Sequence, residues 1–557
     1  MTYSNNTTIL SVVKKIIRLI LIISIISEMI FFPSWENFCG CIMTFICWYI
    51  FDHFFLLRAI ILKYPFAFIM YTSMFFYRFL PLPATLLENK PITYGLQIPY
   101  MTFLFETLLF IVSSFAFRFS FSLNRKNNKL QKILLRIGFF KPLPSTVIWV
   151  LGCIGLLARL SSFAVGNVEY GDIGNKFTSG LIFLMYTPFC LFFPSLYTYQ
   201  SQKLKNSKHN KALWAYFTIV TLLGIASNSR ENMIIAIGTF ILIGLLYQIK
   251  RNIHFSQISP AKILFMGIIT YIGINILSDF STAMLYNRSI RSDVNKKELL
   301  NRTLETYKNK ELMNKLNQIN QLEKAQPLLS YKYGWDETYV DNFMLNRYCN
   351  IRITDQTLYY ALNTTDDNNR MRKNFIDNLI SLLPTPILER LDIDLNKQDI
   401  RHSRGDLLYA IGTHSNIFPG FRVTSHVADG LMTFGLLYFP IQFIIFLCIF
   451  KLQNALVFYT RKKYIYSIFG LICFFTFFGL FRNANGCSGD TMYLLRGFWQ
   501  SLILFGSLSY IIRKIYIKKM LVSRLAIYFP MIFSNKYSLR TKLSFLKTIL
   551  SWKINKF

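Results

Sequence analysis

Acid is what this chain lacks. Its 557 residues hold 28 Asp and Glu against 61 Lys and Arg, a formal net charge of +33. The deficit is uneven. Between Ser281 and Ser425 stand 17 acids beside 20 bases, a balance of +3, while the other 412 residues hold 11 acids and 41 bases, a balance of +30. Most of those outlying bases sit in short segments between apolar runs, the placement that marks the cytoplasmic loops of membrane proteins. The charge therefore reports topology, with some attraction to anionic lipid. It does not call for nucleic acid as a partner.

Motifs for other chemistries are missing too. No P-loop and no Gly-x-Gly dinucleotide turn occurs, which removes the usual nucleotide cradles. His-Glu-x-x-His is absent, and neither a metal nor a cofactor is expected. The nine cysteines have no metal-type pairing. Cys39 and Cys41 stand at a helix start, and Cys47, Cys153, Cys190, Cys448 and Cys473 lie inside apolar runs, where thiols behave as small hydrophobes. Cys349 and Cys487 fall in expected external loops, and a disulfide between them stays open.

What the chain has in quantity is apolar sequence. It is 53% apolar and 17% aromatic, in repeated runs long enough to cross a hydrocarbon core about 30 Å thick. The runs do not alternate as barrel strands would. The fold class is an all-α polytopic membrane protein. Twelve spans are expected: Ile16–Phe32, Asn37–Leu57, Ala59–Leu80, Ile98–Phe119, Ser145–Val165, Phe177–Tyr199, Ala212–Ala226, Met233–Ile249, Ile263–Ser278, Val427–Phe450, Tyr464–Phe481 and Gly497–Ile512. The first run lacks a small-residue cleavage site and reads as a membrane helix, not a signal peptide. Twelve crossings put both termini and the acid-free basic segments, such as Ser120–Lys141, in the cytoplasm. The division is then 1–280 for spans one to nine, 281–426 for a large external loop, 427–513 for spans ten to twelve, and 514–557 for a basic cytoplasmic tail. Met520–Phe533 and Leu543–Trp552 read as separate amphipathic helices on the inner surface.

The external loop is expected to be helical. Leu300, Leu304, Leu312, Leu316 and Ile319 recur at helical spacing. Asp366-Asp367 caps a second helix whose face is Phe375, Ile376, Leu379 and Leu383, ended by Pro384 and Pro386. Tyr331, Tyr333, Trp335 and Tyr339 suit either stacking on sugar rings or the core of the loop itself.

The outer face gathers cations and imidazoles. Three of the six histidines, His402, His414 and His426, fall within 25 residues, beside Arg401, Arg404 and Arg422. Arg230, on the tip of the hairpin Ser227–Asn232, and Arg482 come from two other outer turns. Arginine grips phosphate oxygens with a planar fork, and histidine is a base near neutral pH. Arg230, Arg422, Arg482, Arg401 and Arg404 are the candidate pyrophosphate ligands. His426, or His414, is the candidate base, and Asp429, three residues on along one helical face, is the candidate that orients it. The span charges Glu28, Asp52, Arg78, Glu106, Arg118, Arg159 and Asp279 have the blander reading of interface residues.

The topology and two short stretches resemble the O-antigen polymerase (Wzy-type) family, related to the O-antigen ligases (WaaL-type). The stretches are Ser227-Asn-Ser-Arg230-Glu231 and His426-Val-Ala-Asp429-Gly430 with Gly435. The ligase spacing of histidine and glycine is not met at His414-Ser415, since Ser425 stands at the glycine position. The resemblance implies a GT-C-like fold. It implies a metal-independent glycosyltransferase that joins undecaprenyl-pyrophosphate-linked oligosaccharide units into O-antigen or capsule on the outer face of the bacterial inner membrane. Membrane lipids and a chain-length regulator are the further partners it implies. A ligase-like transferase and a lipid-linked oligosaccharide flippase remain the rival readings. The flippase would be expected to show inverted repeats, and none is visible.

Overall fold

The computed structural model describes residues 8–121, 128–164, 173–198, 207–227, 230–252, 279–287, 296–325, 330–366, 369–397, 400, 402–417, 420, 422–460, 463–481 and 486–533. Helix dominates them. Four helical stretches, taken across their internal irregularities, are long and apolar enough to cross a membrane: Trp35–Phe55, Pro99–Phe119, Asn232–Arg251 and His426–Asn454. Shorter apolar helices lie at Ser145–Ser161, Phe177–Phe192 and Lys211–Ala226. This is the expected all-α membrane protein.

Local chemistry sets where helices begin. Thr8 and Ser34 cap Ile9–Phe31 and Trp35–Ile50 by accepting from the backbone N–H groups of Ser11 and Asn37. Proline opens Pro65–Phe79 and Pro99–Phe119, where its missing N–H costs nothing. The outward side chains are large and apolar; Leu19, Ile23 and Ile30 on the first helix are all exposed, as a lipid-facing stripe must be.

Several expected spans are not single helices. The third breaks at Tyr64-Pro65 into Arg58–Lys63 and Pro65–Phe79. The sixth changes from α-helix at Ile173–Leu181 to a 3-10 helix over Ile182–Phe192, which contains Pro188. The tenth is a half-helix, His426–Phe434, then a tight turn at Gly435–Leu437, then Tyr438–Asn454. Gly435 has φ +59°, a conformation a side chain resists, which is where the helix bends. The eleventh starts as a hairpin, β1 (Val457–Thr460) against β2 (Lys463–Tyr466), and continues in two short helices, Ile468–Ile472 and Phe474–Gly479. The twelfth runs on without a break from Phe498 to Phe533, so Met520–Phe533 is not a separate helix. The ninth expected span and Leu543–Trp552 lie outside the described residues.

Hydrogen bonds gather the helix ends into two sets. At one end, Lys250 Nζ donates to the carbonyls of Ser195 and Tyr464, Gln131 to Val457, and Asn454 to Ser120. These are the segments the charge pattern assigns to the inner face. At the other end, Glu28 accepts from the N–H of Ile92 at 2.8 Å, and Thr93 donates to Asn37 at 2.7 Å.

The loop docks on that second end. Its helices include Lys296–Lys308 and Lys310–Ala325, broken at Asn309, then Arg352–Asn363 and Arg370–Ile380. Asp366 caps the last of these, accepting from Arg370 and Met371 as expected. Of that helix's expected apolar face, Phe375 is buried, whereas Ile376 and the downstream Leu383 are exposed. Asp355 is the anchor to the bundle. Its carboxylate accepts from Gln97 N, Ile98 N, Thr102 Oγ1 and Tyr331 Oη at 2.7–3.1 Å. Burial pushes its pKa above the ordinary carboxylate value, against the pull of those four bonds. Tyr339 donates to Ile92 O at 2.5 Å. Tyr331 and Tyr339 are therefore buried anchors and present no face to a sugar; the side chain of Tyr333 lies outside the described residues.

Candidate functional site

The half-helix His426–Phe434 carries two of the candidate residues, and its first turn is fixed from both sides. Ser425 caps it, accepting from Ala428 N at 3.1 Å, while its hydroxyl pairs with Thr357 at 2.8 Å. Gly430 lies against the ring of Tyr438, where a Cβ would collide. This contact folds the half-helix back on the membrane helix that follows.

His426 is 1% exposed. Its Nε2 lies 3.3 Å from the Asp490 carboxylate, which also accepts from Gln442 at 2.8 Å. The imidazole stacks on Phe481, with centroids 4.5 Å apart and planes at 23°. Neither ring nitrogen makes a hydrogen bond among the described residues, and neither does Asp490 Oδ1. Buried polar atoms left unpaired cost about 1–3 kcal/mol each.

Asp429, the expected orienting acid, faces elsewhere. Its Oδ1 takes Nε and Nη2 of Arg404 at 2.7 and 2.5 Å, and its Oδ2 accepts from Ser488 N at 3.1 Å. A guanidinium fork matches a carboxylate better than one imidazole N–H does, so Arg404 takes Asp429 and the histidine is left to Asp490. Gly486, at φ +58°, lets the backbone come up against the Asp429 carboxylate.

Arg404 is also spent. Nη1 donates to Met371 O and Asn374 Oδ1 at 2.6 and 3.0 Å, and Nη2 to Thr433 Oγ1 at 2.5 Å. With every nitrogen engaged and the side chain 9% exposed, it has no donor to offer a pyrophosphate. Arg422 pairs with Asp406 at 3.0 Å, and its guanidinium lies over Tyr409 at 4.2 Å and Trp335 at 5.9 Å. Its side chain keeps 22% of its surface exposed. His414 stands apart. It is exposed, with φ +52°, and closes the C-terminal end of helix Arg404–Gly412, where Ser415 N reaches back to Ala410 O. Such a position suits glycine and gives a base no fixed partner. His402 packs its Nε2 3.1 Å from Asn374 Nδ2. Arg401, Arg482 and the side chain of Arg230 lie outside the described residues.

Sequence reasoning missed Asp490 and Gln442. The signal available was small: an acid in Gly486-Cys-Ser-Gly-Asp490, just before an apolar run nearly devoid of acids. It also underrated Arg78 and Glu106. They form an ion pair at 2.7 Å, 0% and 2% exposed, and Glu106 accepts from Thr354 of the loop at 2.6 Å. Phe481 lies over Arg78 at 5.1 Å as well as on His426, so the two polar centres share one ring. Cys349 and Cys487 are both buried free thiols.

Comparison with known proteins finds no matching family model, no matching curated protein and no matching solved structure.

Proposed function

We propose that this chain is a membrane glycosyltransferase that polymerises lipid-pyrophosphate-linked oligosaccharide units. The observation that carries the reading is His426, buried with Nε2 3.3 Å from the Asp490 carboxylate and with neither ring nitrogen hydrogen-bonded among the described residues. A ring nitrogen without a partner is open to the proton of a substrate hydroxyl. A hydroxyl of the acceptor unit attacks the anomeric carbon of the donor. The bond from that carbon to the pyrophosphate oxygen breaks, and undecaprenyl pyrophosphate leaves with the electron pair. The hydroxyl proton passes to His426 Nδ1, and Asp490 steadies the imidazolium. Arg422, Arg230 and Arg482 balance the charge on the leaving group. In sequence, Arg482 directly follows Phe481, the ring stacked on His426. Arg404 has no part in this; it fixes the half-helix.

The arrangement that goes with this reading is twelve spans of GT-C-like character in the bacterial inner membrane, with both termini cytoplasmic. The two sets of helix ends support it, since each set joins segments that the charge pattern assigns to one face. A deletion strain tests the function. Loss of long polysaccharide while single repeat units stay displayed is the expected result. Loss of all displayed units would mean ligation or flipping and would overturn it.

A further inference from the structure

Most exposed apolar side chains lie on the bundle, where lipid accounts for them. One group does not. Along Arg370–Leu391, in the cap, Ile376, Leu383, Ile387 and Leu391 are 46%, 38%, 44% and 57% exposed. Pro384 and Pro386 between them are exposed as well. A cap standing in water would turn these residues inward or do without them.

Their depth is set by what the segment is tied to. Helix Tyr438–Asn454 has 17 residues and is about 25 Å long, a little short of a hydrocarbon core about 30 Å thick. The turn that precedes it, with Leu436 and Leu437 at 80% and 68% exposed, therefore lies at the outer edge of the hydrocarbon. Helix Arg370–Ile380 is pinned to that turn. Arg372 Nε donates to Thr433 O at 3.2 Å, and Phe375 packs edge-on to Phe434 with centroids 5.0 Å apart. Arg404 ties Met371 O and Asn374 to the same half-helix. A segment held there cannot ride high above the bilayer.

The charges fit the same level. Arg370, Arg372 and Lys373 crowd the first turn of the helix, and Arg390 closes the far end of the segment. At a lipid surface such side chains meet phosphates while their neighbours enter the acyl region. We infer that Arg370–Leu391 lies on the outer leaflet. Leu383, Ile387 and Leu391 enter the bilayer beside Leu436 and Leu437, and the three bases of the first turn are level with phospholipid headgroups. The occupant of this surface is bilayer phospholipid. The inference rests on the chain spanning a membrane and is independent of the transferase reading.

Nitroxide labels test it in the full chain reconstituted in phospholipid vesicles. Leu383→Cys, Ile387→Cys and Leu391→Cys are made singly, with the accessible native Cys39, Cys153 and Cys448 changed to Ser. Collision rates with oxygen, which partitions into lipid, are compared with those of a water-soluble nickel chelate. Ile444→Cys on the membrane helix and Asn363→Cys on the cap are the references. At Ile387 and Leu391 the oxygen-to-nickel ratio should exceed that at Asn363 several-fold and approach that at Ile444. Ratios equal to that at Asn363 overturn the inference. Shielding from both reagents with dipolar broadening also overturns it, since a second copy would then be the occupant. Arg370→Glu, Arg372→Glu and Lys373→Glu together should shift the Ile387 label toward water. Should a labelled variant not fold, Leu391→Trp with brominated phospholipid gives the same decision through added fluorescence quenching or its absence.

Discussion

Two buried pairs, one Arg–Asp and one His–Asp, begin on the same short helix, and they are opposites. Arg404–Asp429 is complete: the carboxylate has a fork and a backbone N–H, and each guanidinium nitrogen has an acceptor. His426–Asp490 is equally buried and incomplete, with both ring nitrogens of His426 and Oδ1 of Asp490 lacking a hydrogen bond among the described residues. Burial does not tell the two apart. Satisfaction of hydrogen bonds does, and it separates a pair whose polar atoms are all engaged from one that leaves polar atoms open to a further partner.

The comparison is broken most severely at the complete pair. Arg404→Met leaves the Asp429 carboxylate buried without its cation, a loss of about 3–5 kcal/mol. The thermal unfolding midpoint in detergent should fall sharply, and Arg404→Lys should not restore it, because one ammonium cannot reach all these acceptors. An unchanged midpoint would return Arg404 to the list of substrate ligands. At the incomplete pair the effect should move from stability to activity. His426→Asn or Asp490→Asn should slow polymerisation by about 10²–10⁴-fold while the midpoint stays close to that of the unaltered protein. Chain length unaffected in both variants would remove the pair from the chemistry.

Smaller changes sharpen the contrast. Gly486→Ala forces a side chain into a left-handed position against Asp429 and should cost about 1–3 kcal/mol, read as a lower unfolding midpoint. Asp355 gives a pH test. Its folded pKa is raised, so its contribution to stability is in place below the unfolded value of about 4 and is lost as pH rises through the folded value. As pH rises above about 4 the unaltered protein should lose stability that Asp355→Asn does not, measured as the difference between their midpoints. The smallest effect is expected at His414. His414→Gly relieves φ +52° and should add about 0.5–1 kcal/mol with polymerisation retained; loss of activity would restore His414 as a base.

Much of the fold was legible because hydropathy and charge act locally. Helix Pro99–Phe119 matches the expected span Ile98–Phe119 to one residue at its start, because an apolar run behind a proline leaves little choice. The breaks were harder to see. The bend at Gly435 goes with the Tyr438 ring packing back under Gly430, and the β1–β2 hairpin with a distant segment, where Leu62 O accepts from Tyr466. The site was half legible for the same reason. His426 was visible from its own neighbourhood. Its acid was not, since Asp490 is 64 residues away in sequence and the nearer Asp429 offered a simpler partner. Nothing local reveals that Arg404 claims Asp429 first.

The long 3-10 segment has a consequence for the choice of bilayer. Wound at about 2.0 Å per residue, the eleven residues Ile182–Phe192 reach about 22 Å, and the five of Phe177–Leu181, at about 1.5 Å each, add about 8 Å. Their combined reach of about 30 Å equals the average hydrocarbon thickness. The same residues in one α-helix would reach only about 24 Å. In the twelve-span arrangement the tighter winding thus lets this short apolar run match a bilayer that an α-helix of the same residues would have to thin.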